Sequence, residues 1–261
     1  MRPLVMGVLN VTPDSFSDGG RWFDREAAIA RGLELVAEGA DVVDVGGEST
    51  RPGAEPVEEA EERRRVLPVV EALAPHVRVS VDTAKAAVAE AAVAAGASLV
   101  NDVSASLAEV AAACGVGWIA MHMRGTPRTM QHDPLYDDVV REVREFLLER
   151  AGAAVAAGVG EVWIDPGIGF GKTLEHNLSL LGNLRALVDT GFAVVVGASR
   201  KTFLGMLTGS GPGLPAPVED RLEASVAAAV WAMAQGAAMV RVHDVAATVQ
   251  AARIVAEPVA V

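Results

Sequence analysis

Eight short apolar runs, at residues 4–9, 42–45, 77–81, 97–100, 116–121, 162–164, 193–196 and 238–242, recur along this 261-residue chain. Between them lie Ala-rich segments of helical length, at 24–39, 57–74, 84–95, 106–113, 137–157, 176–189, 219–235 and 245–256. Strands that alternate with helices of this length predict βαβ units and a parallel sheet. Eight such units need about 250 residues to close into a (β/α)₈ TIM barrel. The expectation is therefore an α/β chain folded as one barrel domain over 1–261. The competing doubly wound sheet carries G-x-G-x-x-G after its first strand. Here that place holds Asn10-Val-Thr-Pro-Asp-Ser-Phe-Ser-Asp-Gly-Gly20, which lacks it.

Nearly every run ends in a residue capable of chemistry: Asn10, Asp44 with Glu48, Asp82, Asn101 with Asp102, His122, Asp165, Ser199 with Lys201, and His243. A closed parallel barrel brings all its strand ends to one rim, so residues far apart in sequence meet there. Composition narrows what such a rim serves. With 51% apolar residues the chain can bury a large core, yet no stretch reaches the roughly 18 consecutive apolar residues of a membrane span. A net charge of −12 argues against nucleic acid or an anionic membrane as partner, so an anionic ligand must be held by local cations. The first apolar run follows the start directly, which predicts no leader peptide. The lone Cys114 excludes an intramolecular disulfide and a Cys-based zinc cluster, and fits a reducing cytoplasm. It reads as a small buried hydrophobe at a helix end.

Strand phase selects the cations and carboxylates that face inward. Arg241 and His243 are one residue apart in the last run and point the same way, towards the barrel mouth. Lysine occurs only at 85, 172 and 201, and Lys201 follows the seventh run, where barrels bind phosphates. In Val77-Arg-Val-Ser-Val-Asp82 the aspartate is in phase with Ser80 and out of phase with the valines. Asp165 closes its run before Pro166, and a carboxylate there can accept two parallel N–H bonds from a heterocycle, with Asn101 beside it. Asp102 and Asp244 read instead as helix N-caps. Gly167-Ile-Gly-Phe-Gly-Lys-Thr173 imitates a phosphate loop, but that pattern requires glycine at 166, where proline stands. Its glycines are expected to let the backbone and Phe170 approach a flat ligand. His76, His132 and His176 fit surface or capping positions, His122 fits the barrel top, and no transition-metal spacing occurs.

These motifs, with Asp44-Val-Gly-Gly-Glu-Ser-Thr-Arg-Pro-Gly53, Met121-His-Met-Arg-Gly-Thr-Pro-Arg-Thr-Met-Gln131, Ser199-Arg-Lys201 and Arg241-Val-His-Asp244, together resemble the dihydropteroate synthases from residue 4 to about 245. The resemblance implies a transferase of folate biosynthesis that joins p-aminobenzoate to 6-hydroxymethyl-7,8-dihydropterin diphosphate and releases pyrophosphate. It implies that Asp82, Asn101, Asp165 and Lys201 grip the pterin, with Met121 and Phe170 packing near it. Asn10 would help coordinate Mg²⁺, while Ser49, Arg51, Arg241 and His243 would meet the diphosphate. Thr50, Pro52, Lys201 and Thr202 would border the aminobenzoate. The family commonly has serine where Thr202 stands, and threonine retains the hydroxyl. The path implied is dissociative, with no covalent intermediate on Ser199, and the family is usually a homodimer inhibited by sulfonamides. Segments 12–21 and 46–56, rich in Gly, Ser, Pro and Asp, are expected to close over the substrates. The stretch 208–217 reads as a surface excursion. Methyltransferases that use methyltetrahydrofolate share the pterin-binding barrel but do not need the cationic loops. A paralogue that only binds pterin is the non-enzymatic alternative.

Overall fold

The computed structural model describes residues 2–12, 25–50, 53–211 and 213–257. Most of the expected first lid, together with Arg51 and Pro52, lies outside the described residues. Eight parallel strands close into a barrel in chain order. They are β1 (Leu4–Asn10), β2 (Val42–Gly46), β3 (Arg78–Asp82), β4 (Leu99–Asp102), β5 (Gly117–Met121), β6 (Val162–Asp165), β7 (Ala193–Val196) and β8 (Met239–Val242). The helices are α1 (Arg25–Ala37), α2 (Glu59–Leu73), α3 (Ala86–Ala94), α4 (Ala108–Cys114), α5 (Val139–Ala156), α6 (Leu174–Gly182), α7 (Arg185–Val188), α8 (Thr202–Thr208), α9 (Leu222–Ala234) and α10 (Val245–Ala256).

The strands are apolar on both faces because a barrel wall is buried twice. Outward residues such as Val43, Val81, Val100, Trp118, Ile164 and Val240 pack with the helices into the larger core. Inward residues Met6, Val42, Leu99, Ile119, Trp163, Val195 and Met239 fill the barrel itself. Truncating one of these, Ile119→Ala for example, would cost about 2–5 kcal/mol. Beneath this layer Arg78 grips both oxygens of Glu161, at 2.9 and 2.6 Å, and Trp163 Nε1 donates to Glu161 Oε1 at 2.7 Å. With the floor packed shut, polar chemistry is confined to the upper rim.

Two helical features depart from the sequence expectation. The helix expected at 176–189 is two, broken at Asn183, which leaves helical geometry (φ −113°, ψ 26°) and whose side-chain amide donates to Ser179 O at 2.8 Å. Ser, Asn and Asp compete with helix continuation in this manner. The short α8, ahead of Gly209, was not expected; it buries Phe203 and Leu204 behind Lys201 but is too brief to show a period. Cys114 ends α4 as expected, although it is only half-buried. Among the described residues no helix is long and apolar enough to cross a membrane.

Candidate active site

The register levels the inward carboxylates. Asp44 lies beside Ser80, and Asp82 beside both Gly46 and Asn101. Asp44 and Ser80 are fully buried, and Asp82, Asn101 and Asp165 nearly so. From β8, across β1, Arg241 donates through Nε to Asp44 Oδ2 at 2.6 Å and through Nη2 to Asp82 Oδ2 at 2.8 Å. Asn101 Nδ2 also donates to Asp44 Oδ2, at 2.9 Å, which orients its amide. Among the described residues, Asp44 Oδ1 and Ser80 Oγ have no hydrogen-bond partner. The inward phase of Arg241 is as expected, but its partners here are the protein's own carboxylates. Burial disfavours the Arg241 charge, and Asp44 with Asp82 more than restores it, so its pKa rises. Asp82 is pushed up to about 7 by burial, which outweighs Arg241; Asp44, Glu62 and Asp102 push the same way.

A second group forms around β6 and β7. Asp165 Oδ1 accepts the Gly167 N–H at 2.7 Å, and burial raises its pKa against the opposing charge of Lys201. Lys201 donates to Ile168 O and lies 4.1 Å from the centre of the Phe170 ring. Burial lowers the Lys201 pKa to about 7, with Asp165 opposing. A Cβ built on Gly197 would stand 3.7 Å from Arg241 Cβ and 4.0 Å from Asp165 Oδ2, so the two groups adjoin. Ahead of Lys201 the chain takes a left-handed turn at Arg200, φ 59°. Non-glycine residues hold that conformation only when it is over-determined. Here Asp244 grips the guanidinium, Ser225 Oγ accepts the Arg200 N–H, and Arg221 donates to its carbonyl. Asp244 does stand at the N-cap of α10, but its carboxylate serves Arg200 and not the helix.

A cavity of about 310 Å³ opens beside Asp82 and Met121, walled by Glu48 and Thr50 after β2, by Ser104 after β4 and by Met123 and Pro127 after β5. Its base is stiffened by Lys85, which bridges Glu48 and Glu62, and by the bond from Thr83 Oγ1 to Glu62 at 2.7 Å. Asn101, Asp165, Lys201 and Arg241 are not in this wall; of these, Arg241 meets it through its bond to Asp82. Asn10 ends β1, with its Oδ1 3.8 Å and Asp82 Oδ2 3.7 Å from a Cβ built on Gly46. His243 meets Ser199 Oγ through its backbone N–H and Nδ1, at 3.2 and 3.1 Å. Thr202 is exposed at the start of α8, and Ser49 is half-buried beside Thr50.

The glycines of 167–171 pack against protein, not into open space. Gly167 has φ 63°, and a Cβ there would fall 1.8 Å from His122 O; Gly171 has φ 62° and would strike Arg124 O at 2.4 Å. His176 caps α6 in a reciprocal box with Thr173, while His76 and His132 are exposed. Asp102 is not the N-cap of α4, a position that Leu107 holds; it ends β4, and its carboxylate orders the connecting turn by accepting Ser106 and Leu107 N–H at 2.6 Å each. Asp44 was noted only as a strand end and Lys172 only as part of a false phosphate loop. The signal for Lys172 is compositional, all three lysines of the chain falling in loops after barrel strands, and that for Asp44 is a carboxylate inside an apolar run.

The sequence is 48% identical to the dihydropteroate synthase of Mycobacterium leprae (strain TN), over 96% of this chain and 92% of that protein. The fold superposes on Xanthomonas albilineans dihydropteroate synthase with 4-aminobenzoic acid at a TM-score of 0.89, with 49% identity and 97% and 92% of the two chains covered. The same organism's enzyme in complex with 7,8-dihydropteroate matches at a TM-score of 0.85 and 46% identity, over 97% and 92%. The family model described as pterin binding enzyme matches residues 6–243, and with relatives of this identity and coverage the chain belongs to the pterin-binding enzyme family.

Proposed function

We propose that this chain catalyses the dihydropteroate synthase reaction, condensing p-aminobenzoate with 6-hydroxymethyl-7,8-dihydropterin diphosphate. The observation that carries the reading is the gathering of Asp82, Asn101, Asp165, Lys201 and Arg241 at one rim, on the scaffold of relatives that bear this name. The C–O bond between the pterin methylene and the diphosphate breaks, the aminobenzoate nitrogen bonds to that carbon, and the nitrogen sheds a proton as pyrophosphate leaves. Positive charge grows on the pterin and negative charge on the leaving group, so both signs must be served.

Asp165 is suited to the amidine-like edge of the pterin: its Oδ1 is pinned by the Gly167 N–H while Oδ2 stays free of that bond. Asn101 presents its Oδ1 because its Nδ2 is committed to Asp44. The carboxylates of Asp82 and Asp165 stabilise an electron-deficient ring. Arg241 spends Nε on Asp44 and Nη2 on Asp82, which leaves Nη1 to face an anion, with His243 in the next inward position. Lys201 is held between Ile168 O and the Phe170 ring, ready to meet the pterin. Arg51 and Pro52 retain the roles expected from the family resemblance.

The donors suit Mg²⁺ delivered with the substrate. Asn10 offers one amide oxygen beside Asp82, and among the described residues no three acidic, histidine or cysteine groups gather as a dedicated cage. Mg²⁺ characteristically takes one or two protein ligands and completes its shell with phosphate and water. When bound it would neutralise charge on the departing diphosphate. A cytoplasmic homodimer belongs to the same reading. It is supported by the unpaired Cys114 and by exposed apolar side chains on neighbouring helices, Leu178 of α6, Leu207 of α8 and Trp231 of α9. Incubation with both substrates and Mg²⁺ should release pyrophosphate and dihydropteroate in equal amounts. No pyrophosphate, or release that ignores aminobenzoate, refutes the assignment.

A further inference from the structure

Residues 167–171 form the turn between β6 and α6, where neither strand nor helix supplies donors to the backbone carbonyls; within the turn Gly167 O takes one backbone bond, from the Phe170 N–H at 3.0 Å. Buried carbonyls need donors. Each of the five is held by a side chain: Gly167 O and Phe170 O by Lys172 Nζ at 3.0 Å each, Ile168 O by Lys201, Gly169 O by Gln131 at 2.9 Å and Gly171 O by Tyr136 Oη at 2.9 Å. Lys172 thus supplies two of the five ties. Its Nζ also meets His122 Nδ1 at 3.0 Å and His122 O at 3.4 Å, which fastens the turn to the end of β5.

The environment of Lys172 is costly. Its residue surface is 3% exposed, and all four contacts are to uncharged acceptors. Burial, with the charge of Lys201, lowers its pKa to about 7 despite Asp165; burial also lowers that of His122 to about 3, keeping the Nδ1 lone pair available. An ammonium buried without an anion is a poor device for stability alone. What the turn carries explains its presence. The Gly167 N–H pins Asp165, Ile168 O receives Lys201, and the Phe170 ring underlies the same ammonium. A shift of the turn would misplace both groups together.

We infer that Lys172 is a positioning residue for the pterin site, acting through Asp165 and Lys201 by holding the 167–171 turn and touching no substrate itself. The inference rests on the pterin reading of the site. The test is calorimetric titration of 6-hydroxymethyl-7,8-dihydropterin diphosphate, without aminobenzoate, into wild type, Lys172→Met and Lys172→Arg, alongside steady-state kinetics and thermal melts. Lys172→Met should weaken pterin binding about 10–100-fold, by analogy with the range found when a hydrogen-bond partner behind a metal ligand is removed. KM for the pterin should rise in parallel and kcat should fall with it, because Asp165 grips the pterin in the ground state and also stabilises the electron-deficient ring as the bond breaks. The melting temperature should stay close to that of wild type, since removal of a buried charge without an anion offsets the loss of a donor to the turn carbonyls. Lys172→Arg, which keeps charged donors, should recover part of the affinity.

Unchanged affinity in Lys172→Met overturns the inference, as does a loss matched by a lower melting temperature and not relieved in Lys172→Arg. Should Lys172→Met fail to fold, Tyr136→Phe removes a single tie to the same turn and should weaken pterin binding about threefold, as expected for one hydrogen bond; no change there overturns the inference equally. Failure of wild type to bind the pterin diphosphate refutes the functional reading instead.

Discussion

Arg241→Met tests the electrostatics of the rim most directly. The substitution keeps an apolar stem but removes the cation that bridges Asp44 at 2.6 Å and Asp82 at 2.8 Å, both carboxylates being buried. Deleting one partner of a buried ion pair costs about 3–5 kcal/mol, because the other is left uncompensated. At about 2–4 °C per kcal/mol for a domain of this size class, the melting temperature at pH 8 should fall by about 6–20 °C. The cost should depend on pH. Asp82 already has a folded-state pKa raised to about 7, and loss of Arg241 raises it further. An acid whose folded pKa lies above its unfolded value carries no ionisation penalty below the unfolded pKa. The penalty grows, by about 1.4 kcal/mol per pH unit for each group, until the folded pKa is passed. The loss should therefore be clearly smaller at pH 5 than at pH 8 in melts followed by circular dichroism. Adding Asp44→Asn should recover much of the pH 8 loss by removing a stranded charge. Equal losses at both pH values, with no recovery in the double variant, would refute the reasoning.

Three further outcomes follow from the same geometry. Gly167→Ala should lose at least the roughly 1–2 kcal/mol of a left-handed non-glycine residue, plus the displacement of His122 O, and should weaken pterin binding; a wild-type denaturation midpoint would contradict the clash. Asp165→Ala should abolish pterin binding by calorimetry, because the ring loses its charged acceptor, and retained affinity would remove Asp165 from the site. Lys201, with its pKa lowered from 10.5 to about 7 by burial, should make the fold more stable as pH rises from 7 towards 10, where only the unfolded chain holds the proton. Lys201→Met should flatten that rise in denaturant titrations across the interval; an identical slope in both proteins would sink the explanation.

The barrel was legible because its signal is local. A strand repeats every two residues, so the phase of Asp82 with Ser80 and of Arg241 with His243 could be taken from spacing alone, and each proves inward. The same phase could not tell what Arg241 would meet: it marks a direction into the barrel, not the residue met there. Lys172 was hidden for a related reason. Nothing in Gly167-Ile-Gly-Phe-Gly-Lys172 says that the lysine folds back on its own turn, since that depends on His122 standing opposite. Asp244 looked like a cap, and its backbone does occupy that position, but a strained Arg200 nearby competes for the carboxylate with two charge-assisted bonds. α8 escaped because seven residues carry too little periodicity to separate a helix from a loop.

The order of apolar runs and helical segments, and the polar residues at the run ends, determined by themselves that this chain forms a parallel barrel with a reactive rim and which family it resembles. Only the tertiary structure decided how that rim is charged. Arg241 and Asp44 are 197 residues apart and 2.6 Å from contact atom to contact atom, and the pKa of Asp82 near 7 follows from that meeting and from burial together. Coulombic and desolvation energies depend on distance through space and on exclusion of water. A linear sequence records neither, so the strength of each charge became readable only once the strands had closed.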